Sequence, residues 1–246
     1  MRVFRNTFPA AARRRARTPS YGDGGRRVQA LIAAAAFALG CFACLFAASF
    51  PAQAQDRPVR IVVLGDSLSA GLGLSGSEAF PAKLARALQA QGIAVEIANA
   101  GVSGDTASGG LARLDWSVPE GTDAVIVQLG ANDALRGVDP KITRGALDQI
   151  MRRLKERGIE MLLAGMLAPR NLGNDYARAF DSIYPELADK YGALLYPFFL
   201  DGVATLAKLN QRDGLHPNAE GVDMIVKGIL PKVEELVTRV RAKSPA

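Results

Sequence analysis

The sequence predicts a three-layer α/β/α domain built on a five-stranded parallel sheet. Three observations carry this. Runs rich in Val, Ile and Leu alternate with longer segments whose apolar residues recur at helical spacing, the pattern of βαβ units. The runs are apolar at nearly every position, as in strands covered by helices on both faces. Residues 55–246 are long enough for one domain with an adequate core.

Val59 to Leu64 is a β-branched run ending at Gly65 and reads as the first strand. Pro81 to Gln91 sets Leu84, Ala85 and Leu88 on one helical face and stops at Gly92. Ile93 to Ala98 reads as the second strand. A Gly-rich loop from Asn99 to Gly104 and a short helix to about Leu114 follow. Asp123 to Leu129 is the third strand, ending at Gly130. Pro140 to Arg157 is a long amphipathic helix, with Pro at its start and Gly158 just past its end. Ile159 to Gly165 is the fourth strand, Tyr176 to Tyr191 a helix, and Ala193 to Pro197 a short fifth strand. The closing helix spans about Asn218 to Val240.

The first 54 residues have a different character. Residues 1–27 hold eight arginines and one acid, Asp23. Val28 to Phe50 is uncharged, and Ala52 and Ala54 then form an A-x-A site. This reads as a secretory signal cut after Ala54, delivering a single domain, residues 55–246, to the periplasm or the medium. The alternative is an uncleaved membrane anchor over residues 28–50, since the apolar run can span a bilayer. Ala38-Leu39-Gly40-Cys41 is a weaker lipoprotein-like box, because apolar residues rather than a polar tether follow it. Arg26-Arg27 has the twin arginines of another export route, but the residues after them match that signal poorly.

The formal charge of +6 belongs mostly to this leader. Residues 55–246 retain 22 basic and 23 acidic side chains, a net of −1. The basic balance of the whole chain is therefore no argument for nucleic acid or an anionic membrane. Both cysteines, Cys41 and Cys44, lie in the leader, so the processed domain is expected to carry no disulfide.

The chain has a single histidine, His216, three residues after Asp213. One histidine cannot build a multi-histidine zinc site. It can serve a serine hydrolase, which needs one imidazole, one orienting acid and one hydroxyl. Ser67, in Gly65-Asp66-Ser67-Leu68-Ser69, is the candidate hydroxyl. Ligands of open α/β sheets bind at the carboxyl ends of the strands. Three such ends carry Asp66-Ser67, Asn99 with Gly101 to Gly104, and Gly130-Ala131-Asn132-Asp133. Each feature has an ordinary reading alone: Ser67 as a helix cap, Gly101 and Gly104 as turn glycines, Asn132 as a turn residue. Their convergence on one crevice rim with Asp213 and His216 favours catalysis. Gly71-Leu72-Gly73 lacks the third glycine and the lysine of phosphate-binding loops, so no nucleotide site is expected.

The blocks Gly65-Asp66-Ser67-Leu68, Gly104, Gly130-Ala131-Asn132-Asp133 and Asp213-Gly214-Leu215-His216-Pro217 resemble, in order and spacing, those of the SGNH (GDSL) hydrolases. Asn99 to Thr106 and Gly130 to Gly137 are most similar to the bacterial subgroup of arylesterases, thioesterase I and lysophospholipases. The resemblance covers about Val59 to Val237 and implies a flavodoxin-like fold. It implies that Ser67 is the nucleophile, His216 the general base and Asp213 its orienting acid. The Ser67 and Gly104 amides and the Asn132 side chain would form the oxyanion hole. Asp66, Asp105 and Asp133 read as loop scaffolding.

No metal or other cofactor is expected, because amides polarise the carbonyl. Leu68, Leu72, Leu74, Leu135, Met166, Leu167, Pro169 and Leu172 follow strand ends and are candidates to line an acyl or aryl slot. Ordinary core packing is the alternative for each. The resemblance singles out Ala134 to Gly137, hence Leu135, as bordering the acyl chain. The expected activity is an exported esterase acting on aryl esters, short or medium acyl esters, lysophospholipids or thioesters. Its partner is a small acyl-ester or lysolipid substrate, with no nucleic acid and no obligatory protein. The alternatives are an acyltransferase or envelope O-acetyl esterase using the same triad, and an inactive binding module.

Overall fold

A computed structural model describes residues 57–243. The expected signal, its cleavage after Ala54, the alternative anchor over residues 28–50, and Cys41 and Cys44 lie outside the described residues. In chain order the elements are β1 (Val59–Gly65), α1 (Ser67–Ala70), α2 (Phe80–Ala90), β2 (Val95–Gly101), α3 (Ala107–Ala112), α4 (Leu114–Ser117) and β3 (Ala124–Gln128). Then follow α5 (Ala131–Leu135), α6 (Pro140–Glu156), β4 (Glu160–Ala164), α7 (Asn174–Asp181), α8 (Ile183–Tyr191), β5 (Leu194–Tyr196) and α9 (Ala219–Lys243). Short 3-10 turns occur at Arg170–Leu172 and Ala207–Leu209.

All pairings between these strands are parallel, in the order β2-β1-β3-β4-β5. Helix α2 packs on α9, while α3 packs on α6 and α6 on α8, giving the expected helical layers. The apolar runs explain the centre of the sheet: Val63, Leu64, Val125, Ile126, Val127, Leu162 and Leu163 are fully buried. Each such side chain contributes about 1.5–3 kcal/mol relative to exposure. The strand order reverses at β1, which lies between β2 and β3. A ligand crevice is expected beyond the carboxyl ends at such a reversal.

Several boundaries differ from the sequence reading, and three of the differences have a clear local reason. β2 starts at Val95 rather than Ile93, because the Ile93 N–H closes the end of α2 by donating to the Leu88 carbonyl at 3.0 Å. β2 also continues to Gly101, whose register partner is Gly65. A Cβ on Gly101 would lie 2.4 Å from the Ala70 nitrogen, so only glycine allows α1 to sit this close. The helix expected over Tyr176 to Tyr191 is two helices that meet at Ser182. Pro185 lacks the N–H that a continuous helix would donate to the Asp181 carbonyl.

Candidate active site

β1 runs directly into α1, and Ser67 is the first residue of that helix. Asp66 caps it, its Oδ1 accepting the Leu68 N–H at 2.9 Å. Gln128, fully buried at the end of β3, braces the same turn. Its Oε1 accepts the Ser69 hydroxyl at 2.7 Å and the Asp66 N–H at 3.4 Å.

Burial pushes the Asp66 carboxyl up to about 6, although the Leu68 N–H and Gln128 favour its ionised form. An acid whose folded pKa exceeds its ordinary 3.8 holds its proton more tightly when folded. Its contribution to stability therefore falls as pH rises from about 4 to about 6 and is level above that. Asp66→Asn is expected to remove this slope, read as Tm against pH for both proteins. An unaltered slope would assign the titration to another group.

The second half of the site arrives on the segment before α9. The Gln211 N–H donates to the His216 carbonyl at 2.7 Å, closing a tight loop. Within it Asp213 Oδ1 accepts the backbone N–H groups of Leu215 at 2.9 Å and His216 at 3.0 Å. These two N–H groups, then the His216 ring, hold the Asp213 carboxyl down at about 2. Asp213 Oδ2 stands 2.6 Å from His216 Nδ1, and His216 Nε2 stands 2.9 Å from Ser67 Oγ. A carboxylate can only accept, so Nδ1 carries the proton and Nε2 offers its lone pair to the serine hydroxyl. Gln211 fastens this loop to the nucleophile side by donating from Nε2 to the Leu72 carbonyl at 2.7 Å.

The expected oxyanion donors beyond Ser67 sit on the segments that follow β2 and β3. Gly104 adopts φ +88°, a left-handed conformation that disfavours any side chain. Its carbonyl accepts a hydrogen bond from Arg136 at 3.0 Å. Asn132, in the first turn of α5, donates one Nδ2 hydrogen to the Asp105 carbonyl at 3.0 Å, which leaves the other available. Neither the Ser67 nor the Gly104 N–H has a protein acceptor among the described residues. Asp133 is buried and accepts from the Ala107 N–H and the Thr143 hydroxyl, each at 2.9 Å, tying α5 to α3 and α6.

Residues 63–224 match the GDSL-like lipase/acylhydrolase family. The chain belongs to this family. It is a carboxylic ester hydrolase of the SGNH type. It is 39% identical over 197 residues to an arylesterase of Vibrio mimicus, a match covering 80% of this chain and 94% of that protein. It is 38% identical over 197 residues to thioesterase 1/protease 1/lysophospholipase L1 of Escherichia coli strain K12, covering 80% and 92%. AlinE4, an SGNH-hydrolase family esterase of known crystal structure, superposes with a TM-score of 0.62 at 47% identity, covering 73% of this chain and 96% of that one.

The slot candidates of the hydrolase fall into core, exposed and half-buried groups, with Leu74 in the last. Leu68 is 7% exposed and packs in the core, because its helical position turns it away from the crevice that Ser67 faces. Met166 is core as well. Leu135 is 54% exposed at the end of α5, and Leu72, Leu167 and Leu172 are also exposed. Pro169 is half-buried, just ahead of the Arg170–Leu172 turn. Four residues that bind the site together were missed: Arg113, Gln128, Arg136 and Gln211. Arg113 gave a readable signal. It adjoins Leu114 on the stripe Ala107, Gly110, Leu114 that faces inward, where a charged residue requires partners.

Proposed function

We propose that the enzyme cleaves acyl esters through a covalent acyl-enzyme on Ser67, and that Asp213, His216, Gly104 and Asn132 act on that intermediate. The Ser67–His216 contact, made across 149 residues of sequence, carries this reading. Ser67 Oγ bonds to the ester carbonyl carbon while its proton moves to His216 Nε2. The resulting oxyanion accepts from the Ser67 and Gly104 N–H groups and from Asn132. As the carbon–oxygen bond to the leaving group breaks, the departing alcohol takes the proton from His216. Water then repeats the sequence and releases the carboxylic acid.

Apolar acyl or aryl esters, including lysophospholipids, are the proposed substrates. Among the described residues, seven of the ten large exposed apolar side chains are Leu72, Val102, Leu135, Leu167, Leu172, Leu206 and Leu215. All seven follow carboxyl ends of strands or flank His216, so the rim of the crevice suits an acyl chain. The names of the arylesterase and lysophospholipase relatives agree with this. We also propose that the enzyme works outside the cytoplasm after cleavage near Ala54, on the strength of residues 1–54 alone. The amino-terminal sequence of the processed protein tests that.

Turnover of p-nitrophenyl esters of graded length and of lysophosphatidylcholine, for wild type and Ser67→Ala, tests the activity. Comparable rates for the two proteins would refute it. Added alcohol in the same assay distinguishes hydrolysis from transfer: acyl product appearing mainly on the alcohol would mark a transferase. Leu135→Ala is expected to shift the preferred chain length with little change in Tm, because this side chain is mostly exposed. An unchanged length profile would remove Leu135 from the slot.

A further inference from the structure

Arg113, between α3 and α4, takes no part in the proposed chemistry, yet it is only 7% exposed. A guanidinium is always charged, and burying it requires acceptors. Nε donates to Asp105 Oδ2 at 2.6 Å, Nη2 to the Gly65 carbonyl at 2.7 Å, and Nη1 to the Ala100 carbonyl at 2.7 Å and the Ser117 hydroxyl at 3.0 Å. Three of these acceptors border the oxyanion donors. Gly65 precedes Asp66-Ser67 at the end of β1. Ala100 lies at the end of β2, on the strand that leads to Gly104. Asp105 follows Gly104, and its own carbonyl receives the Asn132 amide at 3.0 Å. One rigid fork thus spans the segments that supply Ser67, Gly104 and Asn132.

We infer that Arg113 is a positioning residue that sets the mutual spacing of the three oxyanion donors. The inference rests on the oxyanion roles proposed above. The Ser67, His216 and Asp213 side chains make no hydrogen bond to Arg113, whose bonds to Gly65, Ala100 and Asp105 reach the segments that carry the donors. A misplacement of about 1 Å in a preorganised site costs on the order of 100-fold in rate. A lysine retains the charge but lacks the planar fork that reaches all these acceptors.

The test is steady-state kinetics of Arg113→Lys with a p-nitrophenyl ester, together with inhibition by an alkylboronic acid, whose tetrahedral adduct on Ser67 mimics the transition state. Expected are a fall in kcat of about 10- to 100-fold, KM within about twofold, and a loss of boronate affinity that matches the loss of kcat/KM. Asp105→Asn, nearly isosteric, serves if the lysine variant does not fold, and should lose rate in the same pattern. Ser117→Ala also removes an Arg113 contact, but on the side away from the donors, and should keep wild-type kcat. In an Asn132→Ala background, Arg113→Lys should cost much less than it does alone, because both act through one donor set.

Wild-type kcat and boronate affinity in Arg113→Lys would overturn the inference. So would a kcat loss in Ser117→Ala equal to that in Arg113→Lys, or an undiminished Arg113 effect in the Asn132→Ala background. Full activity of Asn132→Ala alone would instead overturn the oxyanion assignment underneath.

Discussion

Replacing Ser67 by alanine is expected to lower kcat/KM by a factor on the order of 10⁴ to 10⁶ while leaving the fold intact. In the proposed mechanism the hydroxyl is the atom that bonds to the acyl carbon, and no neighbour can replace it. Ser69, two residues on, is fully buried and its hydroxyl is committed to Gln128 at 2.7 Å. His216→Ala should cost a similar factor, because serine without its base is a poor nucleophile. The double variant should be little worse than either single one, since the two residues act as a unit. An organophosphonate ester should label wild type at a single site and leave Ser67→Ala unlabelled. Labelling of the alanine variant would locate the nucleophile elsewhere.

Asn132→Ala is expected to reduce kcat by about 100- to 1000-fold, roughly 3–4 kcal/mol of barrier, with KM nearly unchanged. The ground-state ester gains little from the amide, whereas the oxyanion gains a preorganised donor. Asn132→Asp should be at least as inactive. It removes the donor and sets a second acceptor against the Asp105 carbonyl, which now receives the amide at 3.0 Å. Steady-state kinetics with one ester separates the possibilities. A raised KM at wild-type kcat would make Asn132 a substrate-binding residue and leave the oxyanion with its backbone donors.

The sheet and the meeting of Ser67, His216 and Asp213 were legible for physical reasons. Strands buried on both faces must be apolar throughout, so β1 and β3 declare themselves, and glycines mark where they stop. The single histidine left no competing assignment, and Asp213 three residues earlier lies within reach of its ring. What escaped depended on tertiary contacts. The break at Ser182 came from Pro185, whose cost depends on the backbone one turn earlier. The inward turn of Leu68 depends on the orientation of a four-residue helix against the sheet. Arg113, Gln128 and Gln211 stabilise the site through bonds spanning 48, 59 and 139 residues, and such pairings leave no local periodicity.

The parts of the site enter the chain in a fixed order. The hydroxyl is made near the beginning of the domain, and the imidazole only just ahead of the final helix, α9. A growing polypeptide on the ribosome therefore carries an inert serine for most of its synthesis. On the proposed roles, catalytic competence comes last, once the segment from Gln211 to Asn218 has emerged and closed onto the turn that follows β1.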